Sequence, residues 1–107
     1  MVLLDGNSLT LEEVIRVAKN GELATISSSG QDKINASRKI VDRILEDERP
    51  VYGVSTGFGD FSTVFIKKDK RAQLQRNLIL SHATGVGEHL SQEVVRAAML
   101  LRANSLA

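Results

Sequence analysis

The sequence predicts a mostly α-helical fold, a small α+β domain in which a few short strands sit between helices. Three observations predict it. Apolar residues recur at helical spacing in four stretches, with Thr10, Ser28 or Ser29, Asp69 and Ser91 placed where a helix would start. Only "MVLLDGNS", "LATIS" and "VYGV" read as extended. One segment, "VYGVSTGFGDFSTVF", breaks all periodicity, and it holds every aromatic residue of the chain: Tyr52, Phe58, Phe61 and Phe65.

The first helix is predicted over 10–20. Thr10 can cap it, Glu13 completes a capping box, and Gly21 ends it. Leu11, Val14, Ile15 and Ala18 supply its apolar face. The second is predicted over 29–48, with one apolar stripe (Ile34, Ile40, Val41, Ile44, Leu45), a charged end and Pro50 as a stop. The third runs over 69–84 towards Gly85 and Gly87. The fourth runs over 91–107 with Ser91 as cap, and Val94, Val95, Ala98, Met99, Leu100 and Leu101 cover most of its circumference. A helix apolar all round belongs inside something. No Gly, Pro or basic turn closes it, so the expectation is a piece of a longer protein, with packing into a neighbouring subunit as the alternative.

Composition narrows the function classes. The length of 107 residues suits one domain. A net charge of +1 gives no strong field for nucleic acid or an anionic membrane, so neither is an expected partner. No apolar run approaches the roughly 20 residues of a membrane span. The N-terminus has an early Asp5 and no basic leader, unlike a signal peptide. The absence of cysteine excludes disulfides and thiol chemistry within the chain, and the cytoplasm is the default compartment.

The glycine-rich segment is the first candidate site. Gly53, Gly57 and Gly59 are spaced G-x-x-x-G-x-G, which is neither a dinucleotide fingerprint nor a P-loop. Two readings are open. The segment can be a structural turn anchored by its phenylalanines, or a mobile lid in which Phe58 and Phe61 seal a pocket. Tyr52 can be a half-buried structural residue or a base. A phenol holds its proton at neutral pH by roughly 4 kcal/mol, so a base role needs a stabilised phenolate. The second candidate is "LSHATGVG", where His82 can bind the helix C-terminal carbonyls or serve a site. His89 reads as a solvated side chain. Two histidines without a carboxylate cluster do not make a metal site, so no metal is expected.

"VYGVSTGFGDFS", "LQRNLILSHATGVGEHLS" and "AAMLLRANSLA", at these spacings, together resemble the N-terminal region of the histidine ammonia-lyases, within the aromatic amino acid lyase and aminomutase family. The resemblance covers the chain from Val51 onward. It implies that residues 1–107 are the N-terminal lyase region, the start of the helical ammonia-lyase fold, with a lid over 51–66. It implies a homotetramer acting on L-histidine to give urocanate and ammonia. It also implies a methylidene-imidazolone (MIO) prosthetic group made from an internal Ala-Ser-Gly. Tyr52 matches the lid tyrosine that removes the β-proton, His82 the residue that reads the substrate ring, and Gly57, Phe58 and Gly59 the flexible loop around that tyrosine. No Ala-Ser-Gly occurs in the chain, and the central helical bundle is also absent, so the chain alone is expected to be inactive. A tyrosine or phenylalanine ammonia-lyase or an aminomutase is the alternative within the family. A non-catalytic helical interaction module is the alternative outside it.

Overall fold

In the computed structural model, which describes Met1–Ala107, Thr10 caps helix α1 (Leu11–Asn20) through a capping box: its side chain accepts the Glu13 N–H, and the Glu13 carboxylate accepts the Thr10 N–H at 2.9 Å. Gly21 ends the helix at φ 70°, a left-handed conformation that glycine adopts without a Cβ penalty. The strands flanking α1 are β1 (Val2–Leu4) and β2 (Ala24–Ile26). They pair in parallel, Val2 with Ala24, Leu3 with Thr25 and Leu4 with Ile26, and α1 is their crossover. Helix α2 (Ser28–Glu46) follows at once, and the Ser27 hydroxyl accepts the Gly30 N–H at 3.0 Å. Helices α3 (Lys68–His82) and α4 (Gln92–Ser105) complete the fold. None of the helices is long and apolar enough to cross a membrane.

The chain divides into two compact units, Met1–Ser37 with Glu88–Ala107, and Arg38–Gly87. In the first, α4 packs on α1, and Val2, Leu4, Val17 and Leu100 form the buried core. Leu9, Val14, Ile26 and Ala103 surround it. Leu100 is 5% exposed, and its burial contributes about 2 kcal/mol. The second unit holds the end of α2, the glycine-rich segment and α3.

Several elements differ from expectation. "VYGV" is no strand: the Val54 and Ser55 amides both return to the Val51 carbonyl, a turn that requires Gly53 at φ 70°. Helix α2 stops at Glu46 rather than 48, because Glu48 turns left-handed (φ 52°) and the Arg49 N–H returns to Ile44. Helix α3 covers Lys68–His82 rather than 69–84; the Thr84 amide bonds back to the His82 carbonyl instead of continuing the ladder. Ser91 lies outside α4 as its cap, and the bonds of Leu106 to Ala103 and of Ala107 to Asn104 tighten the last turn before residue 107. Nor is α4 buried all round in this chain: Val94, Met99 and Leu101 are exposed and Leu100 alone is fully covered.

The loop after β1 is set by Asp5. Its carboxylate accepts the Ser8 and Asn7 amides, each at 2.8 Å, and the Ser8 hydroxyl at 2.9 Å. The Ser8 amide first, then the Asn7 amide, lower its pKa from 3.8 to about 2. A lowered folded-state value means that the contribution is complete above the ordinary value and is lost as pH falls towards 2. The thermal midpoint of Asp5→Asn should therefore depend less on pH between about 4 and 2 than that of the parent. Parallel curves for the two proteins would show that the Asp5 loop does not hold the fold.

Candidate active-site loop

The segment after α2 folds on itself. The Gly57 N–H donates to the Val64 carbonyl at 3.1 Å and the Ile66 N–H to the Ser55 carbonyl at 2.9 Å, with Thr56 and Phe65 forming an antiparallel bridge. Two arms, 55–57 and 64–66, are thereby zipped together, and a short 3₁₀ turn, Gly59–Phe61, crosses between them. Gly57 is demanded by close approach: a Cβ there would lie 2.6 Å from the Phe61 Cβ and 2.8 Å from the Phe61 carbonyl oxygen. At the foot of the second arm, Arg71 donates to the carbonyls of Ile66 (3.1 Å) and Leu45 (3.4 Å), and its guanidinium lies 5.6 Å from the Phe65 ring centre.

Tyr52 stands at the start of this loop and is 63% exposed. Its ring meets Phe58 edge-on, 5.9 Å between centres at 77°. Its hydroxyl accepts a long hydrogen bond, 3.4 Å, from the Gly59 N–H. Tyr52, Phe58 and Gly59 are thus brought together, with the Tyr52 side chain largely exposed. Phe58 and Phe61 line an apolar groove of about 370 Å³ with Val64, Leu74, Leu78 and Ser81. The α3 side of this groove is formed by Leu74, Leu78 and Ser81, towards the C-terminus of the helix.

His82 is the last residue of α3 and is exposed. Its Nδ1 lies 2.9 Å from the Leu78 carbonyl and 3.0 Å from the Ser81 hydroxyl. A carbonyl only accepts, so in the bond to Leu78 Nδ1 donates, and in the neutral ring Nε2 is then the acceptor. One side chain therefore combines the helix-end bond with a second ring nitrogen able to accept. Leu78 and Ser81, which orient His82, also line the phenylalanine groove. No hydrogen bond joins Tyr52 to His82 directly; Oη of Tyr52 is engaged with Gly59 and Nδ1 of His82 with α3.

Sequence reasoning missed Ser55 and Thr56, the buried polar side chains of the chain at 0% and 3% exposure. Their signal was a pair of adjacent hydroxyls in an otherwise apolar and glycine-rich stretch.

The sequence profile of the aromatic amino acid lyases matches residues 9–107. The histidine ammonia-lyase of Alkaliphilus metalliredigens is 55% identical over 106 residues, which is 99% of this chain and 21% of that enzyme. Among solved structures, the ergothioneine-degrading ergothionase of Treponema denticola superimposes with a TM-score of 0.89 at 35% identity, over 96% of this chain and 21% of that one. The histidine ammonia-lyase of Trypanosoma cruzi superimposes with a TM-score of 0.86 at 38% identity, over 96% of this chain and 20% of that one. The chain spans about a fifth of the length of the curated relatives it matches.

Proposed function

Because the chain belongs to the aromatic amino acid lyase family, we propose that it forms the N-terminal part of a histidine ammonia-lyase, a carbon–nitrogen lyase that converts L-histidine to urocanate and ammonia. The observation that carries this reading is the 55% identity to a histidine ammonia-lyase along almost the whole chain. The complete enzyme is a cytoplasmic homotetramer in this reading, and the 107 residues alone do not turn over substrate.

The reaction breaks the β-C–H and α-C–N bonds of histidine and forms a C=C bond between the two carbons. Tyr52, as phenolate, takes the β-proton; the electron pair left behind forms the double bond and ammonia departs with the C–N pair. An exposed hydroxyl on a loop is able to reach a substrate bound above it. His82 presents Nε2 to the N–H of the substrate imidazole, its ring held by the Leu78 carbonyl. Phe58 and Phe61 exclude water beside the reacting carbon. The family's MIO group supplies the electrophile that makes the ammonia a leaving group. It has no source among these residues, which contain no Ala-Ser-Gly, and so comes from the rest of the enzyme.

The test is urocanate absorbance in the complete enzyme supplied with histidine. With His82→Leu, KM for histidine is expected to rise roughly tenfold, with a smaller change in kcat, as for a group that binds the substrate and the transition state alike. Unaltered use of histidine would remove His82 from ring recognition.

One observation favours a second reading. A bare Nε2 accepts a phenol O–H as well as an imidazole N–H, so a tyrosine ammonia-lyase or aminomutase fits the same geometry. Turnover of tyrosine in preference to histidine would select it.

A further inference from the structure

Both buried polar side chains of the chain lie three and four residues after Tyr52, and they hold the amides on either side of it. The Ser55 hydroxyl accepts the Val51 N–H at 2.9 Å and donates to the Arg49 carbonyl. The Thr56 hydroxyl accepts the Gly53 N–H at 3.3 Å and donates to the Gly57 carbonyl at 3.1 Å. Burying a hydroxyl is costly unless it is bonded, and an alanine or valine would pack here without that demand. No buried side-chain polar atom is left without a partner. The two hydroxyls therefore serve the backbone around one residue, Tyr52. Neither serves a helix or a strand.

We propose that Ser55 and Thr56 are positioning residues for Tyr52: they fix its backbone on both sides, so that the phenol reaches substrate by rotation of its side chain and not by closure of the whole segment 51–66. This rests on the reading of Tyr52 as the base. The carbonyl of Ser55 extends the same clamp to the second arm through the Ile66 N–H. Motion is left to the ring of Tyr52 and to the turn beyond Gly57, where Gly59 has open space around it.

The experiment uses the complete enzyme with Ser55→Ala, Thr56→Val and Thr56→Ser. Amide hydrogen exchange should accelerate about tenfold or more at Val51 in Ser55→Ala and at Gly53 in Thr56→Val, while amides in α1 and α4 keep their protection. Thr56→Ser retains the hydroxyl and should exchange like the parent. Thr56→Val should lower kcat roughly 10- to 100-fold with KM changed less than about threefold, as for a misplaced catalytic group. Thr56→Ser should restore most of that loss. In a Tyr52→Phe background, Thr56→Val should cost little further, because its effect passes through the phenol. Unchanged exchange at Val51 and Gly53, or an equal kcat loss in the Tyr52→Phe background, would overturn the proposal. An enzyme inactive on histidine whose variants still exchange faster would sink the ammonia-lyase reading and keep the clamp; an active enzyme with unchanged exchange would do the reverse.

Discussion

In the complete enzyme, Tyr52→Phe is expected to lower kcat for histidine elimination by roughly a hundred- to ten-thousandfold, the range of a lost general base. The argument is that this substitution removes little else. Phenylalanine keeps the edge-on contact with Phe58, and the hydroxyl it lacks makes only one long bond, 3.4 Å, to the Gly59 amide. The side chain is largely exposed, so no buried group is left unpaired. Sizing and thermal unfolding should then match the parent while urocanate production collapses. A variant that assembles normally and retains near-parental turnover would strip Tyr52 of the base role.

The second large effect is expected at Gly57. Gly57→Ala places a Cβ 2.6 Å from the Phe61 Cβ and 2.8 Å from its carbonyl oxygen, and backbone cannot rotate out of the way. Relief requires moving the 3₁₀ turn or breaking the Gly57 to Val64 hydrogen bond, so the zipped arms part and Tyr52 loses its frame. Loss of kcat/KM by about a hundredfold is expected, from misplacement of the phenol by an ångström or so. Gly59→Ala is the internal control. Nothing lies within 4 Å of its added methyl, and its φ of 55° costs only about 1 kcal/mol for alanine. If Gly59→Ala harms turnover as much as Gly57→Ala, the loop is governed by flexibility and not by the Phe61 contact.

Local rules made the helices legible. Thr10 and Glu13 announce α1 because the capping box is contained in four residues. Ser91 announces α4 for the same reason, its hydroxyl meeting the Val94 amide. Pairing was less legible: β1 and β2 are three residues each, and nothing in "VLL" or "ATI" specifies a parallel partner across α1. The "VYGV" stretch misled because its β-branched and aromatic residues favour a strand, while the Ser55 hydroxyl and a left-handed Gly53 favour a turn and prevail. The candidate site was legible only as a set of spaced residues. The order "YG-x-x-TGFG" then "SH-x-x-GVG" points to Tyr52 and His82. Periodicity, however, cannot reveal that Gly57 is wedged against Phe61, or that Nδ1 of His82 is spent on Leu78. The glycines read as a device for motion, and at Gly53 and Gly57 the structure adds steric reasons for them.

The edge-on pair of Tyr52 and Phe58 has an optical consequence. The chain has one tyrosine and no tryptophan, so its near-ultraviolet absorption and intrinsic fluorescence come almost entirely from Tyr52. That single chromophore rests edge-on against the Phe58 ring, so turning the phenol away from Phe58 would change its near-ultraviolet circular dichroism. Emission quenching, dichroism and the spectral signature of phenolate formation would all report on one side chain without a label. The residue assigned the proton transfer is also this chain's own spectroscopic probe.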